Sequence, residues 1–173
     1  MPHLKGFGRF LLAFVVVIAL VVLAFAAEAE PQLGELTIEN AAEGTSYKVY
    51  QIFKPGTSAQ YEVTEEWKRC VRFEDGRAYY LGASGSDDWR EITQSNADES
   101  LRALLDLVES NGIKCSQAVT AKGGTAVFKN LPYGYYLLVP DNGIGGIFPL
   151  EEESKTIGQK NAAGPALENG LSL

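Results

Sequence analysis

Two segments of this chain are apolar on both faces when read as strands, and few folds accommodate that. Ser46-Tyr47-Lys48-Val49-Tyr50-Gln51-Ile52-Phe53 is rich in aromatic and β-branched residues and stops at Pro55-Gly56. Side chains alternate across a strand, so Tyr47, Val49 and Phe53 are expected on one face and Tyr50 and Ile52 on the other. Tyr133-Gly134-Tyr135-Tyr136-Leu137-Leu138-Val139 carries apolar residues at consecutive positions and ends at Pro140-Asp141-Asn142-Gly143. A half-exposed strand alternates apolar with polar, whereas an inner strand covered on both sides does not. Both segments therefore read as inner strands.

Shorter strand signals surround them. They are Leu36-Thr37-Ile38, Tyr61-Glu62-Val63, Ala78-Tyr79-Tyr80-Leu81 after a turn at Asp75-Gly76, Thr125-Ala126-Val127-Phe128, and a closing strand over Lys155 to Asn161. Ile147-Phe148-Pro149-Leu150 reads as an edge strand, because proline cannot donate to a ladder. Glu65 to Val71 reads as one helical turn that buries Trp67 and Val71. One longer helix is expected over about 97–111. Leu101, Leu104, Leu105 and Val108 form a stripe at helical spacing. Asn96 and Glu99 resemble a capping box, and Asn111-Gly112 is a helix stop. Many short strands with one interrupting helix predict a mainly β chain, a β-sandwich carrying one inserted amphipathic helix that packs on a sheet.

The N-terminus has a different character. Cationic Lys5 and Arg9 precede a 16-residue apolar run, Phe10 to Phe25, followed by Ala24-Phe25-Ala26 and Ala27-Glu28-Ala29. That order is the grammar of a secretory signal peptide over 1–26, with cleavage after Ala26 or Ala29. A membrane span usually needs about 20 apolar residues, so an uncleaved signal anchor is the alternative. The expectation is export through the Sec pathway to an extracellular or cell-surface location, with the membrane touched only through this segment. A linker over 27–33, a domain over 34–161 and a loose tail over 162–173 complete the organisation.

Export of the remainder removes Lys5 and Arg9, so the net charge of -7 becomes -9. Phosphate binding needs clustered Lys or Arg, and nucleic acid is excluded as a partner. Cys70 and Cys115 are the only cysteines. In an oxidising exterior a disulfide would stabilise the chain by about 4 kcal/mol on chain-entropy grounds; two buried free thiols are the alternative.

Catalytic chemistry finds little purchase. The sole histidine, His3, lies in the signal segment, so the exported domain cannot build a Ser-His-Asp or Cys-His pair or a histidine-ligated metal site. Asp87-Asp88 and Glu151-Glu152-Glu153 are adjacent acids of the kind that face solvent; a calcium site at Asp87 and Asp88 matches no EF-hand spacing. Gly143, Gly145 and Gly146 do not open a helix and make no phosphate loop. No catalytic residue, cofactor or metal is predicted. Leu131-Pro132-Tyr133-Gly134 resembles a sortase sorting signal only superficially, since it lacks the threonine-glycine pair.

The segments Gly34-Glu35-Leu36-Thr37-Ile38-Glu39-Asn40, Tyr47 to Phe53, and above all Ala126-Val127-Phe128-Lys129-Asn130-Leu131-Pro132-Tyr133-Gly134-Tyr135-Tyr136-Leu137-Leu138-Val139 resemble the N-terminal domain of Gram-positive fimbrial (pilin) subunits and the B-type repeats of collagen adhesins. Thr156-Ile157-Gly158-Gln159-Lys160-Asn161 with Pro165 resembles the junction to a second, isopeptide-forming pilin domain. The resemblance implies an Ig-like, prealbumin-like sandwich, a non-enzymatic surface role in adhesion, and other pilin subunits and a sortase as partners, with host matrix or glycan as ligands. It also implies Lys160 as a candidate sortase-linking lysine. Leu36 to Asn40 carries no lysine, and Pro140 stands where related modules place a glutamate. No internal isopeptide bond is therefore expected. The chain stops where the second domain would begin, which reads as an interrupted product or a one-domain relative. Two other functions compete: a free-standing glycan- or matrix-binding domain using Trp67, Trp89, Tyr79 or Tyr80, and a carboxylate-dependent extracellular hydrolase.

Overall fold

The computed structural model describes residues 30–56, 60–84, 87–143, 145–158 and 166–167. In chain order these form β1 (Leu33–Glu39), β2 (Ser46–Pro55), β3 (Tyr61–Val63), β4 (Val71–Glu74), β5 (Arg77–Leu81) and β6 (Trp89–Glu91). A 3-10 turn (Gln94–Asn96) then leads into α1 (Ala97–Asn111). β7 (Gln117–Thr120), β8 (Thr125–Pro132), β9 (Gly134–Pro140), β10 (Gly146–Leu150), β11 (Ser154–Gly158) and β12 (Ala166–Leu167) follow. The chain is mainly β and sandwich-like, with a single α-helix among the described residues.

The two-faced strands occupy the middle layer. β9 lies between β10 and β2, and the other edge of β2 is taken by β7 along Ser46–Val49 and by β3 along Phe53–Pro55. One face of this sheet offers Tyr47, Val49, Tyr136, Leu138, Phe148 and Leu150. They pack on Leu36, Ile38, Ala126, Phe128 and Ile157 of a second sheet ordered β11-β1-β8. The other face offers Tyr50, Ile52, Tyr135, Leu137 and Ile147 to Trp67, Val71, Ala78, Tyr80, Leu101 and Leu104. Each Val, Leu, Ile or Phe among these, once fully buried, contributes about 1.5–3 kcal/mol. Two apolar faces thus need two coverings, and the chain supplies a sheet for one and an excursion for the other.

That excursion runs from Thr64 to Ser116 and contains β4, β5, β6 and α1. It leaves and rejoins the same edge of β2: Thr64 N–H donates to Ile52 O at 2.9 Å and Ser116 N–H to Val49 O at 2.7 Å. Trp67 and Val71 are buried as expected, in a series of turns closed by Val71 N–H to Trp67 O at 2.8 Å. The hairpin of β4 and β5 turns on Asp75 and Gly76, with φ of 51° and 75°. Both values are left-handed, the geometry that matches a tight turn to the strand twist.

Three local expectations change. Phe53 belongs with Tyr50 and Ile52, not with Tyr47 and Val49, because the β2–β9 register shifts between Gln51 and Phe53. A bulge adds one residue and inverts the alternation beyond it. Asn96 and Glu99 do not cap each other. The Asn96 Oδ1 accepts from Thr93 N–H (2.8 Å) and the Ser100 hydroxyl (3.0 Å), while Glu99 binds Arg90 at 2.5 Å. The far end of α1 behaves as read: Gly112 adopts φ 61°, and Ile113 N–H returns to Val108 O at 3.0 Å. The closing strand is described over Ser154–Gly158 and pairs in parallel with β1, while the remainder of the expected segment, 159–161, lies outside the described residues.

β10 is not the edge strand that Pro149 suggested, since it lies between β9 and β12, and Pro149 falls beyond the rungs shared with β12. β12 meets β10 only at Gly146 and Ile147. Gly134 marks a close backbone approach in the core. Its φ is +150°, and a Cβ there would lie 2.1 Å from the Phe53 carbonyl oxygen beside the bulge.

Candidate functional site

The outer face of the excursion's sheet, β4-β5-β6, is the most chemically distinctive surface among the described residues. Alternation sends Val71, Phe73, Ala78 and Tyr80 toward the core and Arg72, Glu74, Arg77, Tyr79, Trp89 and Glu91 outward. Arg72 stands directly opposite Tyr79. Its guanidinium carbon lies 5.1 Å from the Tyr79 ring centre and 4.5 Å from that of Trp89. A guanidinium is weakly hydrated and planar, so it stacks on aromatic faces and gains from their quadrupole. The Nε of Arg72 is shielded from water and has no hydrogen-bond acceptor among the described residues; the ring faces stand in for one. Ion pairs of 3.7 Å flank the stack, Arg72 with Glu74 and Arg77 with Glu91.

Of the four aromatics read as candidate ligand contacts, the structure keeps two at the surface. Trp67 and Tyr80 are each 1 % exposed and belong to the core. The indole and phenol at those positions fill the space between the excursion and the middle sheet. Tyr79 and Trp89 remain half-buried on the outer face, with Arg72 over both rings. Arg72 was not singled out by sequence reading. Counting outward from Asp75-Gly76 finds it: a two-residue turn pairs Glu74 with Arg77, Phe73 with Ala78, and Arg72 with Tyr79.

Two of the acidic candidates, Asp88 and Glu151, are already engaged through their carboxylates. Arg90 forks onto Asp88, Nε to Oδ1 at 3.2 Å and Nη2 to Oδ2 at 3.1 Å, and Ser84 N–H adds a bond of 3.3 Å to Oδ2. These bonds hold the Asp88 carboxyl below its ordinary range, Arg90 foremost. A cation at Asp87 and Asp88 would compete with that guanidinium. No group of three or more His, Cys, Asp or Glu is arranged to hold a metal among the described residues. Glu151 accepts from the Tyr61 hydroxyl, and Glu153 uses its backbone oxygen to accept from Glu35 N–H at 2.8 Å. Gly143, Gly145 and Gly146 belong to the β9–β10 connection and the start of β10.

A run of rings lies in the core between the middle sheet and the excursion. Phe73 meets Phe53 at 5.6 Å, Phe53 meets Tyr135 at 6.2 Å, and Tyr135 meets Tyr61 at 4.8 Å, all edge-on. Edge-on contacts of this kind suit the ring quadrupoles. Burial, and secondarily the Glu151 charge, pushes Tyr135 up to about 12. Burial also raises Tyr136, whose hydroxyl donates to Pro132 O at 2.6 Å.

Cys70 and Cys115, for which the sequence left a bridge and two thiols both open, are free thiols facing the same core cluster. Burial pushes the Cys70 thiol up. Lys160, the cleavage positions Ala26 and Ala29, the apolar run of 10–25, and the tail apart from β12 lie outside the described residues. No described helix is long and apolar enough to cross a membrane. No protein-family model matches the chain, and no curated protein matches it.

Proposed function

We propose that the chain is a non-catalytic cell-surface module of pilin type, a part or relative of a sortase-assembled fibre. The observation that carries this reading is the parallel pairing of β1 with β11, from Glu35 opposite Ser154 to Glu39 opposite Gly158. A domain whose first long strand and last long strand run in parallel receives the chain at one end and releases it at the other. Modules of that kind stack end to end. The solvent face of the β11-β1-β8 sheet is mostly polar, with Glu35, Thr37, Thr125, Lys129 and Thr156 outward and Val127 the apolar residue among them, as suits a fibre wall in water. Lacking any histidine after His3, the domain is a scaffold in this reading and not a hydrolase.

Co-expression with a class C sortase tests it. SDS-resistant ladders that contain this polypeptide are the expected result, and ladders that form without it overturn the proposal. The competing reading, a free-standing glycan- or matrix-binding domain, rests on Tyr79 and Trp89. The ring faces nearest Arg72 are already covered, which disfavours sugar stacking there. Glycan-array binding abolished by Trp89→Ala would reverse that preference.

A further inference from the structure

The parallel β1–β11 pair has a mechanical consequence. Tension applied at Leu33 and at Gly158 pulls the two strands lengthwise past each other. The inter-strand hydrogen bonds then lie across the direction of motion, and the five facing pairs from Glu35–Ser154 to Glu39–Gly158 load together. β1 is also held on its other edge by β8, antiparallel from Leu33 opposite Pro132 to Glu39 opposite Thr125. β11, at the edge of this sheet, is held by the β1 ladder alone, whereas sliding β1 shears two ladders at once. Sliding β1 must also drag Leu36 and Ile38 through a core shared with Tyr47, Phe128, Tyr136 and Phe148. Tension applied at Glu39 and Thr125 acts on the same two sheets differently. Those residues face each other at one end of an antiparallel pair, so the ladder opens one rung at a time.

We infer that β1 and β11 form a shear clamp that bears tension along the chain, with the Thr64–Ser116 excursion outside the load path. The two ends of that excursion bond to Ile52 and Val49 on one edge of β2, in a different layer from the clamp. Force passing from β1 to β11 does not run through them. The excursion can therefore carry a surface such as the Arg72 stack while the sheet behind it is loaded. This inference deepens the fibre reading and rests on it for its biological purpose, but the clamp itself is a property of the isolated domain.

Single-molecule pulling on the full chain tests it. Azide-bearing residues at Leu33 and Gly158 give the lengthwise geometry, and the same handles at Glu39 and Thr125 give the peeling geometry; Cys70 and Cys115 stay untouched. The positions tolerate change: Leu33 is 47 % exposed, Glu39 and Thr125 are exposed, and a Cβ at Gly158 meets nothing within 4 Å. Cooperative melting at the same temperature qualifies both proteins for comparison. Forced unfolding reports the barrier to rupture and not the equilibrium stability. The rupture force should be about twofold or more higher for the lengthwise pair than for the peeling pair at equal loading rate, a contrast set by the number of bonds that must yield together. Equal forces, or a weaker lengthwise geometry, would overturn the clamp. The sortase ladder is an independent readout. Incorporation with equal forces rejects the clamp alone, whereas a strong clamp without incorporation upholds it and rejects the fibre.

Discussion

Replacing Gly134 by alanine should be among the most damaging single-methyl changes in this protein. Two separate costs combine there. The backbone has φ +150°, where a side chain is strained by about 1–3 kcal/mol. The added Cβ would also sit 2.1 Å from Phe53 O and 2.8 Å from Gln51 Nε2, inside the 3.0 Å that real contacts respect. β9 must then back away from β2 at the bulge. That weakens the bond from Gln51 Nε2 to Tyr133 O, 3.0 Å long, and adds an overpacking cost of about 1–3 kcal/mol. The sum is about 4 kcal/mol, against a usual total of about 5–15. For a domain of this size it corresponds to a fall in Tm of about 12–20 °C. Two other glycines separate the costs. Gly44 has φ +79° and open space, so Gly44→Ala measures backbone strain alone; Gly158 has neither problem, so Gly158→Ala should change stability by less than about 0.5 kcal/mol. Urea and thermal unfolding followed by circular dichroism rank the three. If Gly134→Ala costs no more than Gly44→Ala, the close approach of β9 to Phe53 is wrong.

Three more outcomes are expected. Burial raises Tyr135 to about 12 and raises Tyr136 as well. The stability from these neutral phenols is thus full below the unfolded value of about 10 and is lost as pH climbs through the folded ones, at about 1.4 kcal/mol per pH unit for each; spectrophotometric titration in which every tyrosine ionises near 10 before unfolding would refute this. Arg72→Ala and Trp89→Ala should each cost about 1 kcal/mol and couple by about 0.5 kcal/mol or more in a double-mutant cycle, so strictly additive losses would remove the stack as an energetic unit. Iodoacetamide should alkylate Cys115 in the native protein well before Cys70, which is 2 % exposed and has its thiol pushed up by burial. Equal rates contradict that, and a non-reduced mass about 2 Da low would show a bridge in place of the thiols.

Much of the candidate surface was legible in advance, but not its centre. Tyr79 and Trp89 stood out as aromatics, yet so did Trp67 and Tyr80, and composition does not say which face of a short strand is covered. Only the excursion's packing against Tyr50, Ile52 and Leu137 decides that Trp67 and Tyr80 turn inward. Arg72 was hidden because its partners come from two other strands, one of which, β6, is three residues long. Strands this short have no period to read.

The sequence by itself determined the layers. Tyr47 to Phe53 and Tyr135 to Leu138 carry apolar groups on both faces, and burying them requires cover on both sides, whatever the connections. It also determined the Asp75-Gly76 turn, the Leu101 and Leu104 stripe and the Gly112 stop, because each is decided by a few neighbouring residues. Tertiary structure alone decided which face Phe53 joins, that Glu99 serves Arg90 instead of Asn96, and that β11 lies parallel to β1. Those outcomes are set by pairing between segments far apart in the chain. The free energy of such pairing is summed over whole strands, and no single residue announces it.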